Sequence, residues 1–334
     1  MEALKVFIDE NLKEGKIPPS KTLQASPFFF VPKKDGMFHP CQDYQYVNSH
    51  TIKNAYPLPC ISDLVDTLKH SRYFMKLDIR WGYNNIQIKE TDQWKATFTT
   101  PYGLYEPTVM FFGQCNSLPM FQVFMNHLFA DYLAEGWLII YMDNLMVHSV
   151  NMEEHISHIR LVLQCLCEHK LGVKLEKCIF CAPQAEYLGL IVGEGQISMD
   201  PVKLMAINDW RLPTSVSAVC SFMGFCNFYC KFIPDFSNIV QPLLSLTKKN
   251  AAWQWLPDCE SSFLKLKEAF LKRPVLCYPD TDLPFFVMTD TSLVASGVVL
   301  MQKDSNGDLH PCAYYSKTFA PAEQNYNIYD HTVI

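Results

Sequence analysis

Two hydrophobic repeats alternate along this chain, a short one typical of strands and a longer one typical of helices. The most informative strand pattern surrounds residues 141–144 (YMDN), with apolar residues leading in from position 137 and out to position 147. This pattern predicts two short strands joined by a tight turn, with Asp143 and Asn144 at its tip, because both residue types favour turns. A carboxylate held between buried strands in this way is well placed to bind a metal ion.

Helical spacing is clearest in residues 120–135, where apolar and aromatic side chains recur on one face. Another helix is predicted at residues 152–170, with an inward face formed by Ile156, Ile159, Leu163 and Leu166. The same spacing predicts helices at residues 1–16, 61–68, 201–210, 215–229 and 258–272. Strands are predicted at residues 28–32, 73–79 and 284–289, and hairpin turns at Asp35-Gly36 and Asn306-Gly307.

The order of these elements predicts an α+β fold up to about residue 190, with boundaries uncertain by roughly 2–4 residues. A helical region follows to about residue 275, and then a β-rich unit opens. With 334 residues, the chain is long for one hydrophobic core, so two or three domains are expected.

Composition narrows the classes of protein that this chain fits. Apolar residues make up 49% of it, which favours a folded protein, and no apolar run approaches the ~20 residues that cross a bilayer. Because the first ten residues contain acids where a signal peptide has a basic region, neither secretion nor a membrane location is expected. The net charge of −6 argues against nucleic-acid binding through overall charge, and local strips such as Lys170, Lys174 and Lys177 are interpreted as solvated faces.

The 13 cysteines are scattered, and without a signal peptide they are interpreted as reduced thiols. Cys178 and Cys181 have the spacing of half a zinc site. A second Cys-x-x-Cys is lacking in the sequence, and His155 and His158 lie on a predicted helix. Buried or incidental thiols are therefore the favoured interpretation.

The predicted strand at residues 73–79 ends in a second carboxylate, Asp78, which lies 143 − 78 = 65 positions before Asp143. The two meet if their strands are neighbours in one sheet. Mg²⁺ is commonly bound by one or two carboxylates plus substrate phosphates, and two such ions stabilise phosphoryl transfer. Spacing alone leaves the alternative open that Asp occurs at strand ends and turns simply because it is tolerated there.

A series of sequence blocks, in a fixed order, resembles the reverse transcriptase region of the Pol polyprotein of gypsy-type (Metaviridae-like) LTR retrotransposons. The resemblance runs over almost the whole chain, and the ordered set is far more specific than any single block. The blocks are residues 31–36 (VPKKDG), 40–44 (PCQDY), 51–54 (TIKN), 56–59 (YPLP), 76–79 (KLDI), 82–84 (GYN), 95–98 (KATF), 103–107 (GLYEP), 109–113 (VMFFG), 141–144 (YMDN), 176–178 (EKC), 186–189 (EYLG), 222–225 (FMGF), 227–229 (NFY) and 242–244 (PLL).

This resemblance implies an α+β right-hand polymerase. Fingers and palm would take residues 1–192, thumb and connection 193–280, and the start of a truncated ribonuclease H-like domain 281–334. The implied activity is RNA-directed DNA synthesis from deoxynucleoside triphosphates on an RNA or DNA template with a primer, using two Mg²⁺ ions, with Mn²⁺ as a substitute. The implied partners are the rest of the Pol polyprotein, including protease and integrase. The implied location is cytoplasmic or nuclear, in a virus-like particle for intact elements, and not in a membrane.

The resemblance also assigns roles position by position. Asp78 and Asp143 match the metal-binding aspartates, and Asn144 stands where the family has a third. The nucleotide-binding positions are Lys33, Lys34, His39, Tyr83, Phe112 and Gly113. The segment that holds the primer end includes Tyr187, Leu188 and Gly189, and Asp290 matches the first carboxylate of a ribonuclease H site.

The chain departs from the family pattern at several of these positions. Asn144 replaces Asp, and His39 and Gln45 stand where the family has Arg. Residues 114–119 (QCNSLP) differ from the small-residue pattern of the family, and His331-Thr332 replace a basic-acidic pair just before the last residue given. We therefore expect weak or absent polymerase activity and no ribonuclease H activity. The alternative is a catalytically inactive remnant that still binds nucleic acid.

Overall fold

The structure is a computed structural model that describes residues 2–32, 38–193, 195–249, 251–272, 274–280, 282–292, 295–304, 306–320 and 323. The chain divides into two compact units. The first unit comprises Met1–Leu64 and Phe74–Ala182, and the second comprises Val65–Tyr73 and Pro183–Ile334. Helices and strands are mixed in both, which confirms the predicted α+β class.

Up to residue 182 the elements are α1 (Glu2–Lys13), β1 (Ser26–Pro32), β2 (Phe38–Gln42), α2 (Gln45–Ser49), α3 (Ile61–Asp66), β3 (Tyr73–Asp78), β4 (Phe98–Thr100), β5 (Gly103–Tyr105), α4 (Ser117–Leu128), α5 (Ala130–Ala134), β6 (Leu138–Tyr141), β7 (Asn144–Ser149), α6 (Met152–Glu168) and β8 (Ile179–Ala182). Then follow β9 (Gln184–Tyr187), β10 (Leu190–Gly193), β11 (Gln196–Met199), α7 (Pro201–Asn208), α8 (Val216–Phe228), α9 (Phe236–Leu246), α10 (Pro257–Leu271), β12 (Val275–Cys277), β13 (Phe286–Thr291), β14 (Ala295–Lys303) and β15 (Leu309–Thr318).

The first unit contains two sheets. In one, the strands lie in the order β2, β1, β4, β5, with β1 antiparallel to β2 and parallel to β4. Its core takes in the buried face of α1, at Leu4 and Ile8, together with Tyr44 and Phe98. The antiparallel pairing of β1 with β2 confirms the predicted hairpin, whose turn residues lie outside the described ranges.

The other sheet of the first unit positions the candidate site. Its strands lie in the order β6, β7, β3, β8. Residues 145–149 of β7 are all buried, as expected for a strand that is covered on both faces. The surrounding core draws on α4 and α6, through residues such as Phe121, Met125 and Val162. The predicted strand that ends in Asp78 is confirmed as β3.

In the second unit, β12, β11, β10 and β9 form one sheet and β13, β14 and β15 another, both antiparallel. The hairpin predicted at Asn306-Gly307 joins β14 to β15. The β9 to β12 sheet was not predicted, because its strands of three or four residues are too short to show a clear alternation.

Two helix predictions were wrong in detail. The helix expected over residues 120–135 starts earlier and is interrupted at Phe129, whose φ of −111° leaves helical geometry while its ring stays buried in the core. On α6, Ile156 was expected to face inward but is 41% exposed. The buried positions of α6 are instead His155, Val162, Cys165 and Leu166. His155 points inward because its Nδ1 lies within hydrogen-bond distance of Ser149 Oγ on β7.

Among the described helices, none combines the length and apolar character that a bilayer crossing requires.

Candidate active site

Asp78 and Asp143 come together because β3 and β7 are neighbours in the sheet. Just past the end of β3, the backbone N–H of Ile79 donates to the carbonyl oxygen of Asp143 at 2.8 Å. This bond places the two aspartates side by side at one end of the sheet. The sequence prediction that they would meet if their strands were neighbours describes this arrangement.

The turn that carries Asp143 differs from the sequence prediction. Tyr141 pairs with Asn144, so the two-residue loop is Met142 and Asp143, and Asn144 is the first residue of β7. Met142 takes a left-handed φ of 55°, which tight hairpin turns require of at least one central residue. The prediction that put Asn144 at the tip was therefore wrong by one residue, since it weighted the turn preference of Asn over the hairpin register.

Asp143 lies in an electrostatically unfavourable position for a lone carboxylate. Burial and the nearby charge of Asp78 raise the pKa of Asp143 above its usual value, while Lys174 and Lys177 act in the opposite direction. The amide Nδ2 of Asn144 donates to Asp143 Oδ1 at 3.1 Å. A carboxylate at position 144 would instead add a third negative charge at this point.

Two lysines that the sequence analysis interpreted as solvated contact Asp78 directly. Lys174 Nζ lies 2.5 Å from Asp78 Oδ1, and Lys177 Nζ lies 3.5 Å from Oδ2. The Asp78 side chain is only 10% exposed, so its charge is compensated by these ammonium groups. The loop after α6 is held there because the Lys174 N–H donates to the Asp78 carbonyl oxygen at 2.9 Å.

Within the described residues, no group of three or more His, Cys, Asp or Glu side chains is placed to hold a metal ion. The oxygen donors at this end of the sheet are the two carboxylates and the Asn144 amide. That donor set still suits Mg²⁺, which prefers oxygen ligands and is often bound by one or two carboxylates. Lys174 and Lys177 already compensate the charge of Asp78, so a metal cation at this position competes with these two ammonium groups.

An aromatic wall stands beside the carboxylates. Burial and the charge of Asp143 raise the pKa of Tyr83 to about 12, so its hydroxyl stays protonated at neutral pH. The Tyr83 ring packs edge-on against Phe121 at 5.7 Å and lies 6.1 Å from Phe112, which is 59% exposed. Gly82 permits this packing, since a Cβ there would lie 2.8 Å from the Phe121 ring.

The remaining predicted nucleotide-binding residues are Gly113, Lys33, Lys34 and His39. Gly113 has a φ of 102° and accepts a hydrogen bond from Asn48 Nδ2 at 2.8 Å through its carbonyl oxygen. Lys33 and Lys34 lie outside the described residues, and His39 is described only through its backbone in β2.

The segment predicted to hold a primer end forms the turn between β9 and β10 in the second unit. Leu188 and Gly189 both have positive φ, 51° and 84°, and Tyr187 is fully buried. The carbonyl oxygen of Gly189 accepts a hydrogen bond from the Tyr229 hydroxyl at 2.9 Å. This turn therefore presents backbone and the Leu188 side chain, with Tyr187 serving the core beneath it.

Asp290, predicted to belong to a ribonuclease H site, lies near the end of β13 and pairs with Gly297 of β14. Its side chain is exposed. His331 and Thr332, which depart from the family pattern, lie outside the described ranges.

The far end of β7 carries polar residues of another kind. His148 is 7% exposed, and burial together with His158 and His155 lowers its pKa to about 4. Ser149 Oγ lies 3.0 Å from His158 Nδ1 and 3.2 Å from His155 Nδ1. His158 in turn stacks on Trp137, with ring centroids 4.1 Å apart and planes 4° from parallel.

Comparison with known proteins identifies this arrangement. Residues 31–192 match the family described as "Reverse transcriptase (RNA-dependent DNA polymerase)", and residues 255–334 match "RNase H-like domain found in reverse transcriptase". The chain thus carries a reverse transcriptase domain followed by an RNase H-like region.

Curated relatives include the Transposon Tf2-7 and Tf2-3 polyproteins of Schizosaccharomyces pombe, 33% and 32% identical over all 334 residues. These relatives confirm the predicted likeness to retrotransposon Pol polyproteins. The chain spans 25% of the length of each.

Solved structures support the fold. A foamy viral protease-reverse transcriptase in complex with double-stranded DNA is similar over 99% of this chain and 58% of its own, with a TM-score of 0.88 and 22% identity. The foamy viral protease-reverse transcriptase in complex with an RNA/DNA hybrid gives a TM-score of 0.84 at 21% identity, over 99% of this chain and 44% of its own.

Proposed function

We propose that this chain is the catalytic part of an RNA-directed DNA polymerase, which adds deoxynucleotides to a primer 3′-hydroxyl on an RNA or DNA template. The observation that carries the proposal is the side-by-side placement of Asp78 and Asp143 at one end of the central sheet, within a reverse transcriptase domain. Phosphoryl transfer depends mainly on positioning and on stabilising charge, and paired carboxylates suit that task.

Asp78 and Asp143 would hold Mg²⁺, or Mn²⁺ as a substitute, with the amide oxygen of Asn144 as a weaker donor. Two such ions supply electrostatic stabilisation of the attacking and leaving oxygens. For its part, the chain fixes the two carboxylates through the backbone bond between Ile79 and Asp143 and keeps them at the end of a buried strand.

The aromatic wall would position the nucleotide. We assign Tyr83 to the floor under its sugar and Phe112 with Gly113 to the strip beside its base. Tyr83 is held by Phe121 and stays protonated, so it offers a neutral, rigid surface near two anions. Lys33, Lys34 and His39 remain the proposed contacts to the triphosphate.

We propose the same division of the chain as the resemblance implies, with fingers and palm in residues 1–192, thumb and connection in 193–280, and the ribonuclease H-like part in 281–334. Tyr187, Leu188 and Gly189 would hold the primer end, and Asp290 would belong to the ribonuclease H-like part. The Tf2 relatives are polyproteins, which supports a chain that works beside protease and integrase in a virus-like particle, in the cytoplasm or nucleus.

A second candidate function is nucleic-acid binding without catalysis. The charges near the metal position favour it, since the carboxylates of Asp78 and Asp143 face the ammonium groups of Lys174 and Lys177 and Asn144 adds no charge. The formal sum is −2 + 2 = 0, so a dication gains less here than at a site with a third carboxylate. Such a protein would bind duplex with strongly salt-dependent affinity.

Primer extension on an RNA template with Mg²⁺ or Mn²⁺ separates the two functions. The polymerase proposal predicts weak extension by the native chain and a gain of about a hundredfold, or ~3 kcal/mol, for Asn144→Asp, because the substitution restores a ligand charge. Asn208→Asp, which adds a charge at an exposed position of α7, is the matched control and leaves the rate unchanged. If neither the native chain nor Asn144→Asp extends the primer but both bind duplex, the non-catalytic function holds.

A further inference from the structure

A chain of polar side chains runs from the buried core to the turn that carries Asp143. Gln122 is fully buried on α4, beside the buried side chains of Phe121 and Met125. Its Oε1 accepts a hydrogen bond from the Met142 N–H at 2.7 Å, and its Nε2 donates to the carbonyl oxygen of Ile140 at 3.3 Å. With its acceptor and donors both engaged, the Gln122 amide has one preferred orientation.

That orientation is fixed by a second and a third residue. Gln122 Nε2 also donates to Asn126 Oδ1 at 2.8 Å, and Asn126 Nδ2 donates to the Tyr56 hydroxyl at 2.8 Å. Tyr56 belongs to residues 52–60, a segment that forms neither helix nor strand. A continuous hydrogen-bonded link therefore joins that segment to the turn through α4.

The turn needs this support for a physical reason. Met142 has a left-handed φ of 55°, a conformation that is unfavourable for residues other than Gly. A backbone N–H left without a partner in this half-buried turn would add a further cost, and Gln122 supplies that partner. On the other side of the turn, the Asp143 carbonyl oxygen accepts from Ile79, so the turn is held at both of its residues.

We propose that Gln122 is a positioning residue for Asp143. It holds the Met142 N–H, and Asn126 and Tyr56 hold it in the orientation that this requires. The carboxylate of Asp143 thereby keeps its place beside Asp78. The kinetic consequence rests on the polymerase function proposed above, whereas the structural consequence does not.

Amide hydrogen exchange tests the structural consequence directly. The chain is labelled with ¹⁵N-methionine, so that the turn (Met142), the adjoining strand (Met146) and α4 (Met125) report from one sample, with Met142 assigned by Met142→Leu. Gln122→Met, which keeps the length of the side chain but removes its hydrogen bonds, speeds Met142 exchange about tenfold relative to Met146, as expected when one partly buried hydrogen bond is lost. Gln164→Met, at an exposed position of α6, is the matched control and changes neither rate.

Tyr56→Phe provides a second variant that leaves the core filled. It removes the hydroxyl at the far end of the link and speeds Met142 exchange by about twofold to threefold. If Gln122→Met and Tyr56→Phe both leave the ratio of Met142 to Met146 exchange unchanged, the proposal is wrong.

Kinetics in the Asn144→Asp background then test the link to catalysis. Gln122→Met lowers kcat for primer extension about tenfold or more and changes KM for the nucleotide much less, since a displaced carboxylate affects the reacting atoms rather than nucleotide binding. An equal loss through KM alone contradicts a positioning role. If no variant extends a primer, the polymerase function fails, while the exchange experiment still decides whether Gln122 holds the turn.

Discussion

Strand β7 has polar residues at both ends, and the two ends differ in whether they keep or exclude charge. At its start, Asn144 adjoins Asp143, whose charge is opposed by burial and by Asp78. At its end, His148 and Ser149 are buried among neutral ring and hydroxyl groups. The first end keeps charge where solvent cations and lysines can reach it, whereas the second end removes charge from the interior. Polar residues on one buried strand can therefore mark either a site or a support.

The two ends also respond to pH with opposite sign. The pKa of His148 is lowered in the folded chain, so folding favours its neutral form. The pKa of Asp143 is raised, so folding favours its neutral, protonated form. Lowering the pH therefore destabilises the fold through His148 and stabilises it through Asp143.

The largest expected effect separates the two ends by function. Asp78→Asn lowers the extension rate of the Asn144→Asp chain by about a thousandfold, ~4 kcal/mol, since it removes a ligand charge from the reacting centre. His148→Asn, at the other end, lowers the free energy of unfolding by about 2 kcal/mol, because it disturbs a buried polar cluster, and leaves the extension rate of the folded protein unchanged. Primer extension and denaturant unfolding of the same preparations measure both. Equal losses of extension rate in the two variants contradict the comparison.

The next effect is the pH dependence of stability. His148 has a pKa of about 4 when folded and 6.5 when exposed. Its contribution to the free energy of unfolding is complete above pH 6.5. About 3 kcal/mol of stability is lost as the pH falls from 6.5 toward 4. Urea unfolding across this range gives a shallower dependence for His148→Asn than for the native chain.

Asp143→Asn is the opposing variant in that experiment. It removes the group that is stabilised by protonation, so stability falls more steeply with decreasing pH than in the native chain. A shallower slope for Asp143→Asn, or a steeper one for His148→Asn, is the result that contradicts the assignment.

A smaller effect tests the aromatic wall at the first end. Gly82→Ala forces a Cβ to within 2.8 Å of the Phe121 ring and lowers the free energy of unfolding by about 2 kcal/mol through overpacking. Gly224→Ala on α8 is the control, because the added Cβ meets no atom within 4 Å among the described residues outside its own stretch of helix. It stabilises the fold by about 0.5–1 kcal/mol through the unfolded state. Thermal unfolding of both variants measures the difference, and equal shifts contradict the packing argument.

The smallest effect concerns the lysines on Asp78. The Lys177 side chain is 59% exposed and lies 3.5 Å from Asp78, so Lys177→Met changes stability by less than about 1 kcal/mol. The affinity for Mg²⁺ rises about twofold to fivefold, because one competing cation has gone. Isothermal titration calorimetry measures the affinity, with Lys95→Met, which breaks another exposed ion pair, as the control. A fall in affinity would show that Lys177 supports the cation site instead of competing with it.

The sequence predicts the strands that carry the two aspartates, but it does not predict the register of the turn or the lysines that contact Asp78. The apolar run around residues 141–144 predicts the hairpin, and the strand before Asp78 predicts the partner carboxylate. The register of the turn could not be predicted, because the left-handed φ of Met142 is supported by Gln122, a residue of another element. A polar residue inside an apolar helical stripe was the available signal.

Lys174 and Lys177 were missed for a similar reason. Their spacing fits a solvated face equally well, and only the fold brings the loop after α6 to Asp78. The histidines of α6 show the same limit. Periodicity placed Ile156 inward, whereas hydrogen bonding to Ser149 selects His155 and His158.

Binding of Mn²⁺, followed by the loss of the free-ion paramagnetic resonance signal, tests the central claim most directly. The account predicts that the native chain binds Mn²⁺ at this end of β7, that Asn144→Asp binds at least about tenfold more tightly, and that Asp78→Asn loses this binding while His148→Asn keeps it. Unchanged Mn²⁺ binding in Asp78→Asn contradicts the account, because it places the cation away from the paired carboxylates.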